Sequence, residues 1–300
     1  VKWAGGKTQL LDQLDSLYPP APSVNRYIEP FVGSGAVFFH VRELLQPGEA
    51  ILADGNEELI NAYSAIRDDV EKVIRHLVLH RKAHSKAQYY DVRGASRARL
   101  SEAGRAARLI YLNKTCFNGL YRVNSRGEFN VPMGRYDDPP ILDAANLRAV
   151  SAALRRVNLK VAHFRETLGY ARKGDFIYLD PPYHPLSATS SFTSYSVNGG
   201  RSSFEASDQE ELAGVFAALA RRGCRVMLSN SDCPLIRRLY RGYDIRTVLA
   251  RRSINSKAER RGRIHEVVVL DYEPASDSNP LVQLISDERG ERKSVMFDGD

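Results

Sequence analysis

Apolar positions along the chain follow two alternating rhythms. YIEPFVGSGAVFFHVREL, residues 27–44, reads as a short strand, a glycine turn and a helix, with Val37, Phe38, Val41, Leu44 and Leu45 on one nearly continuous apolar face. ILAD at 51–54 predicts a second strand, and NEELINAYSAI the helix after it. Strand, helix, strand, helix at this spacing argues for a parallel α/β core. From about Ile60 to Ala144 the rhythm changes. Segments 64–92 and 100–115 read as helical, and FNGLYRVNSRGEFNVPMG at 117–134 is polar and glycine-punctuated, as a hairpin or ordered loop would be. The core resumes with NLKVAH at 158–163, DFIYLD at 175–180, a helix around 208–222 and CRVMLSN at 224–230. YDIRTVLARR and EVVVLDYE predict a hairpin that closes the sheet. The expected organisation is a discontinuous core domain, 1–60 and 145–275, an insertion, 61–144, and a weakly ordered tail, 276–300.

Composition narrows the function classes. With 43% hydrophobic residues in a chain of 300, a sizeable core is available. Lysines and arginines number 43 against 36 acidic residues, a formal charge of +7, which favours a polyanionic partner without identifying one. The three cysteines, Cys116, Cys224 and Cys233, make no CxxC pair and fit a reducing, intracellular setting. No apolar stretch approaches the roughly 18–20 residues that span a bilayer, and no signal-peptide pattern precedes the first motif.

Two strand ends carry the chemistry. In EPFVGSG, Glu29–Gly35, glycines after a strand let backbone approach a ligand where a Cβ would clash. The spacing is neither GxGxxG nor a P-loop, which counts against dinucleotides and triphosphates. Asp54 ends the next strand, where a carboxylate can accept from both hydroxyls of a ribose. It can also cap the NEELI helix, a role Asn56 fills equally well. In DFIYLDPPYHPLSATSSF, an apolar strand delivers Asp180 to its carboxyl end. Pro181 and Pro182 then remove two donors and aim carbonyls outward, and Tyr183 adds a flat aromatic face.

That turn suits a planar exocyclic amine. Such a nitrogen is a poor nucleophile because its lone pair is delocalised into the ring. Donating its hydrogens to the Asp180 carboxylate and the Pro181 carbonyl draws it toward tetrahedral geometry, while Tyr183 stacks on a base taken out of the helix. Acceleration then comes from alignment and electrostatics. A cytosine-C5 reaction needs a cysteine nucleophile, and the chain has no Pro-Cys pair.

With these residues in place, the chain resembles the Dam-type family of adenine-N6 DNA methyltransferases. The likeness rests on KWAGGK (2–7), EPFVGSG (29–35), ILADGNEELI (51–60), FNGLYRVNSRGEFNVPMGRY (117–136), DPPYHPLSATSSFTSY (180–195) and RRSINS (251–256), with Glu266 beyond. It implies a Rossmann-like class I methyltransferase core with a mixed, mostly parallel sheet and an inserted, mainly helical target-recognition domain with a hairpin. It implies S-adenosyl-L-methionine as cofactor, held by Trp3, Gly6, Lys7, Glu29, Pro30, Phe31, Gly33, Gly35, Asp54 and Asp180. Asp180, Pro181, Pro182 and Tyr183 would hold the flipped adenine. The partner implied is double-stranded DNA, with no membrane, no metal and no obligatory protein partner. Methylating one adenine per visit requires no dimer. The expected setting is the cytoplasm, at the nucleoid or under a phage genome.

The resemblance also gives a target, GATC. Lys2 would read its first guanine and Arg122 the guanine opposite the final cytosine, a bidentate arginine being the commonest guanine reader. Phe117, Asn118, Leu120, Asn124, Pro132 and Arg135 would lie at the DNA, Phe117 and Leu120 as wedges or as anchors of the hairpin to its own domain. From Arg246 to Arg263 there are seven basic residues and one acidic one, among them Arg251, Arg252 and Arg260, a run that favours phosphate contacts over a merely solvated face. His76, His80 and His84 recur at helical spacing in what reads as an ordinary basic helix rather than a metal row. Two other readings carry the same motifs: an RNA or nucleotide amino-methyltransferase, and an inactive DNA-binding module.

Overall fold

The computed structural model describes residues 6–184, 204–251 and 263–275. Its sheet is built from β1 (Arg26–Glu29), β2 (Glu49–Asp54), β3 (Val157–Val161), β4 (Phe176–Leu179), β5 (Arg225–Ser231), β6 (Asp244–Arg251) and β7 (Arg263–Leu270). The order is β3-β2-β1-β4-β5-β7-β6, and only β7 runs against the rest. The expected mixed, mostly parallel sheet is therefore present. The closing hairpin is also present, but its second strand lies inside, between β5 and the edge strand β6.

Side-chain alternation sorts the strands into two layers. Tyr27, Phe176, Tyr178, Met227 and Val268 enter one apolar cluster, and their neighbours Ile28, Ile177, Leu179, Leu228 and Val269 enter the other. Both faces are covered by helices, which is why the central strands read as unbroken apolar runs. On the first face lies α2 (Ala36–Leu45), after the short α1 (Leu11–Leu14). On the second lie α7 (Thr167–Tyr170), α8 (Ala206–Arg221) and α9 (Pro234–Leu239).

Between β2 and β3 the chain forms α3 (Glu57–Lys82), α4 (Lys86–Gly94), α5 (Glu102–Thr115) and α6 (Ala144–Leu154) around a third cluster. The sequence reads 64–92 as one helical stretch, but the structure breaks it at Ala83–Ser85. Ser85 starts α4 by accepting from the Gln88 amide at 3.1 Å. The first turns of α3 (Leu59, Ile60, Tyr63) pack on the sheet, and the later ones (Val73, Ile74, Leu77) on α5. A kink at Asp69 separates the two parts, with Asp69 accepting from the Lys72 amide like a fresh N-cap. Two histidines of the row meet one tyrosine: His80 stacks on Tyr111 with ring centroids 4.8 Å apart, and His84 Nδ1 lies 2.9 Å from the Tyr111 hydroxyl.

At the far edge, Gln13 lies against β6. Its amide nitrogen donates to the Leu249 carbonyl (3.0 Å) and its oxygen accepts from the Leu249 N–H (2.9 Å), as a neighbouring strand would. Among the described residues no helix is long and apolar enough to cross a membrane.

Candidate active site and nucleic-acid interface

The strand order reverses between β1 and β4, and in open α/β sheets ligands sit beyond the carboxyl ends of the strands at that point. A cavity of about 280 Å³ opens there. Four adjacent parallel strands supply its walls: Glu29 from β1, Asp54 from β2, Ala162–Phe164 after β3, and Asp180 after β4. Of the residues expected from the sequence, Gly6, Lys7, Pro30, Phe31, Gly33, Pro181, Pro182 and Tyr183 also line it. Lys2, Trp3, Arg252 and Arg260 lie outside the described residues, and Arg251 is described only as the end of β6.

The glycine turn is locked from beneath. Val32 donates to the Ala53 carbonyl (2.9 Å), and the Tyr63 hydroxyl donates to the Gly33 carbonyl (2.9 Å). Gly35 supports this wall at φ +70°, where a Cβ would sit 2.9 Å from Phe39 Cε2 and 3.1 Å from the Tyr63 hydroxyl. Asp54 accepts from the Gly33 N–H (3.1 Å) and the Asn56 N–H (2.9 Å). Asn56 is the residue that caps α3, accepting from the Leu59 amide at 3.2 Å. An ionised carboxylate has about four acceptor sites, so two backbone donors leave Asp54 capacity for ligand hydroxyls. Burial pushes Asp54 up to about 6, against the pull of those two N–H groups.

The carboxyl end of β4 is organised around charge. Lys7, 5% exposed, places its ammonium 2.8 Å from Asp180 Oδ1 and 4.6 Å from the Tyr183 ring centroid. Burial raises Asp180 to about 6, opposed by Lys7 and reinforced by Glu266. Glu29 is buried, accepts from the Tyr27 hydroxyl at 2.8 Å, and is pushed well above the usual carboxylate range by burial. Tyr183 donates its hydroxyl to Glu266 Oε2 at 2.8 Å.

Several wall residues were not picked out from the sequence. Phe164 and Phe204 join Phe31 in an aromatic cage, with centroids 5.5–6.0 Å apart. His163 and Ala162 follow β3, so the strand-end rule could have found them. Glu266, named from the sequence only as a distal match to the family, stands at the head of the apolar run of β7 and also lines the cavity.

The 116–135 stretch is an ordered loop with two isolated bridges, Cys116↔Met133 and Val123↔Phe129, not a regular two-stranded hairpin. Phe129 and Val131 are buried beneath it, and Tyr89 donates to the Val131 carbonyl at 2.8 Å. Its tip turns at Gly127, with Asn124 Oδ1 accepting from the Arg126 and Glu128 amides (both 3.0 Å), so the Asn124 side chain builds the turn. Arg122 is exposed and oriented by Asn130 Oδ1 at 2.7 Å. Phe117 is half exposed, Leu120 packs partly on the third cluster, and Asn118, Pro132 and Arg135 face outward.

The chain is 42% identical to the type II methyltransferase M1.LlaDCHI of Lactococcus lactis subsp. cremoris, over 91% of this chain and 94% of that one. It is 40% identical to the type II methyltransferase M.MjaIII of Methanocaldococcus jannaschii, over 91% and 98%. It is 36% identical to the DNA adenine methylase of Serratia marcescens, over 90% and 97%. The profile of one family matches residues 3–254, and the chain belongs to that family, the D12 class N6 adenine-specific DNA methyltransferases.

Proposed function

We propose that this enzyme binds S-adenosyl-L-methionine in the cavity at the β1/β4 reversal and methylates the N6 amine of an adenine flipped from duplex DNA, in GATC. The observation that carries the reading is the convergence of Asp54, Glu29 and Asp180 on one cavity that an aromatic cage also lines. The fit to the cofactor is chemical. Aromatic faces suit its adenine ring, Asp54 suits its ribose, and the acidic lining suits a cation. When bound, the cofactor supplies an electrophilic methyl group on a sulfonium.

The chain's residues do the rest. Asp180 accepts one hydrogen of the target amine and the Pro181 carbonyl the other, which turns the nitrogen lone pair toward the cofactor side of the cavity. Tyr183 offers its face to the base, held by Glu266. The Lys7 ammonium rests on the same carboxylate and near the same aromatic ring, so it keeps Asp180 paired until a base arrives. Residues 61–144 serve as the target-recognition domain, presenting Arg122, Phe117 and Asn118. Lys2 and Arg122 read guanines, and Arg251, Arg252 and Arg260 contact phosphates.

Asp180→Ala tests the chemistry. It is expected to leave cofactor binding measurable by calorimetry while nearly abolishing labelled-methyl transfer to duplex DNA. Retained turnover would overturn the amine-activation reading. A methylation map across every four-base context tests the target; adenines methylated elsewhere with GATC spared would reject GATC and leave the chemistry standing.

A further inference from the structure

The two prolines that make the catalytic turn also strip it of backbone donors, so Pro181 and Pro182 cannot hold themselves by N–H bonds. Something else must fix the turn. Gln209 on α8 is fully buried and donates its Nε2 to the Pro182 carbonyl at 3.0 Å. Asn230 on β5, also fully buried, donates its Nδ2 to Gln209 Oε1 at 2.9 Å. That sequence of donors leaves each amide only one orientation. Asn230 Oδ1 accepts from the Ser231 amide at 2.8 Å and from the His184 amide at 3.5 Å. The Ser231 hydroxyl donates to the His184 carbonyl at 2.9 Å.

The network lies within an apolar layer, beside Leu212 on α8 and Leu228 on β5. Burying three polar side chains there is costly, and aliphatic residues would fill the same space without that cost. A fully satisfied buried network specifies one geometry in return. The geometry it specifies is that of residues 182–184, on either side of the Tyr183 ring. It also occupies the carbonyl of the second proline, so the carbonyl of the first is the one to face an incoming amine.

We infer that Gln209, Asn230 and Ser231 are positioning residues for methyl transfer: they clamp the backbone after Asp180 so that the carboxylate, the Pro181 carbonyl and the Tyr183 face keep one relative placement. The inference rests on reading Asp180 and Pro181 as the acceptors of the target amine. Gln209→Leu removes the clamp's central donor. Asn230→Asp keeps size and acceptors but loses the donor to Gln209, and serves should the leucine variant not fold. In both, the single-turnover methylation rate is expected to fall roughly 10- to 100-fold, as for ångström-scale misplacement of reacting groups. Dissociation constants for duplex DNA and for cofactor are expected to stay within about twofold, which places the loss in kcat rather than KM. With 2-aminopurine in place of the target adenine, fluorescence lifetimes should spread into several components, since the base no longer meets one fixed aromatic face. Methylation rates within about twofold of the parent's would overturn the clamp, and so would a loss of cofactor affinity matching the loss in rate, because a merely structural role predicts that. Asp180→Ala measured alongside separates the two readings. Turnover retained there defeats the amine-acceptor reading, whereas an inactive Asp180→Ala beside unimpaired clamp variants defeats the clamp alone.

Discussion

At the scale of single residues, two buried carboxylates set the pH behaviour. Asp54 and Asp180 are both raised to about 6, mainly by burial. Each is needed as an ionised acceptor in the proposed reaction. Methyl transfer should therefore fall as pH drops through about 6, with cofactor affinity weakening in the same window through Asp54; pH profiles of kcat and of the cofactor dissociation constant check this. The stability effect has the opposite sign. A carboxyl whose folded pKa exceeds its unfolded value makes the ligand-free fold bind protons more readily, so these two groups favour the fold at low pH and lose that contribution as pH rises toward 6. Gly35 gives a sharper test. At φ +70° an alanine meets both backbone strain, about 1–2 kcal/mol, and contact with Tyr63, whose hydroxyl holds the Gly33 carbonyl. Gly35→Ala should lower the melting temperature and weaken cofactor binding together.

At the scale of elements, the 116–135 loop hangs on a helical frame that holds it from below. Arg122 is set by Asn130, so its guanidinium is partly ordered before any base is met. Arg122→Ala should relax base choice at one pair by roughly 1–3 kcal/mol while general duplex affinity changes little, measurable by comparing methylation rates on matched and single-substituted sites. The same scale shows what could be read from the chain. Strands β1, β2, β4 and β5 were legible because an apolar run ending in Glu29, Asp54, Asp180 or Asn230 is a local signal. The cavity's aromatic cage was not, because Phe31, Phe164 and Phe204 meet only when β1, β3 and α8 are assembled, and each alone looks like core. The α3–α4 break was hidden because its cap, Ser85, sits among residues that suit a helix. Asn124 reads as a base contact in sequence, yet its side chain builds the turn, a distinction made by hydrogen bonds within the loop.

At the scale of the whole molecule, the formal charge of +7 and a polyanionic substrate imply counterion release on binding. The logarithm of duplex affinity should fall linearly with the logarithm of salt concentration, and a titration series checks the slope. A second consequence follows from Gln13, whose amide occupies the N–H and C=O of Leu249 on β6. Exposed strand margins recruit other chains, and growth along them needs free pairs in succession. Gln13 interrupts that succession toward the carboxyl end of the strand, and the exposed Arg246–Asp244 ion pair adds charge at its other end. Colloidal behaviour is thereby tied to one side chain remote from the chemistry. Gln13→Ala should leave initial methylation rates intact while concentrated solutions scatter progressively more light, as molecules add margin to margin into larger particles.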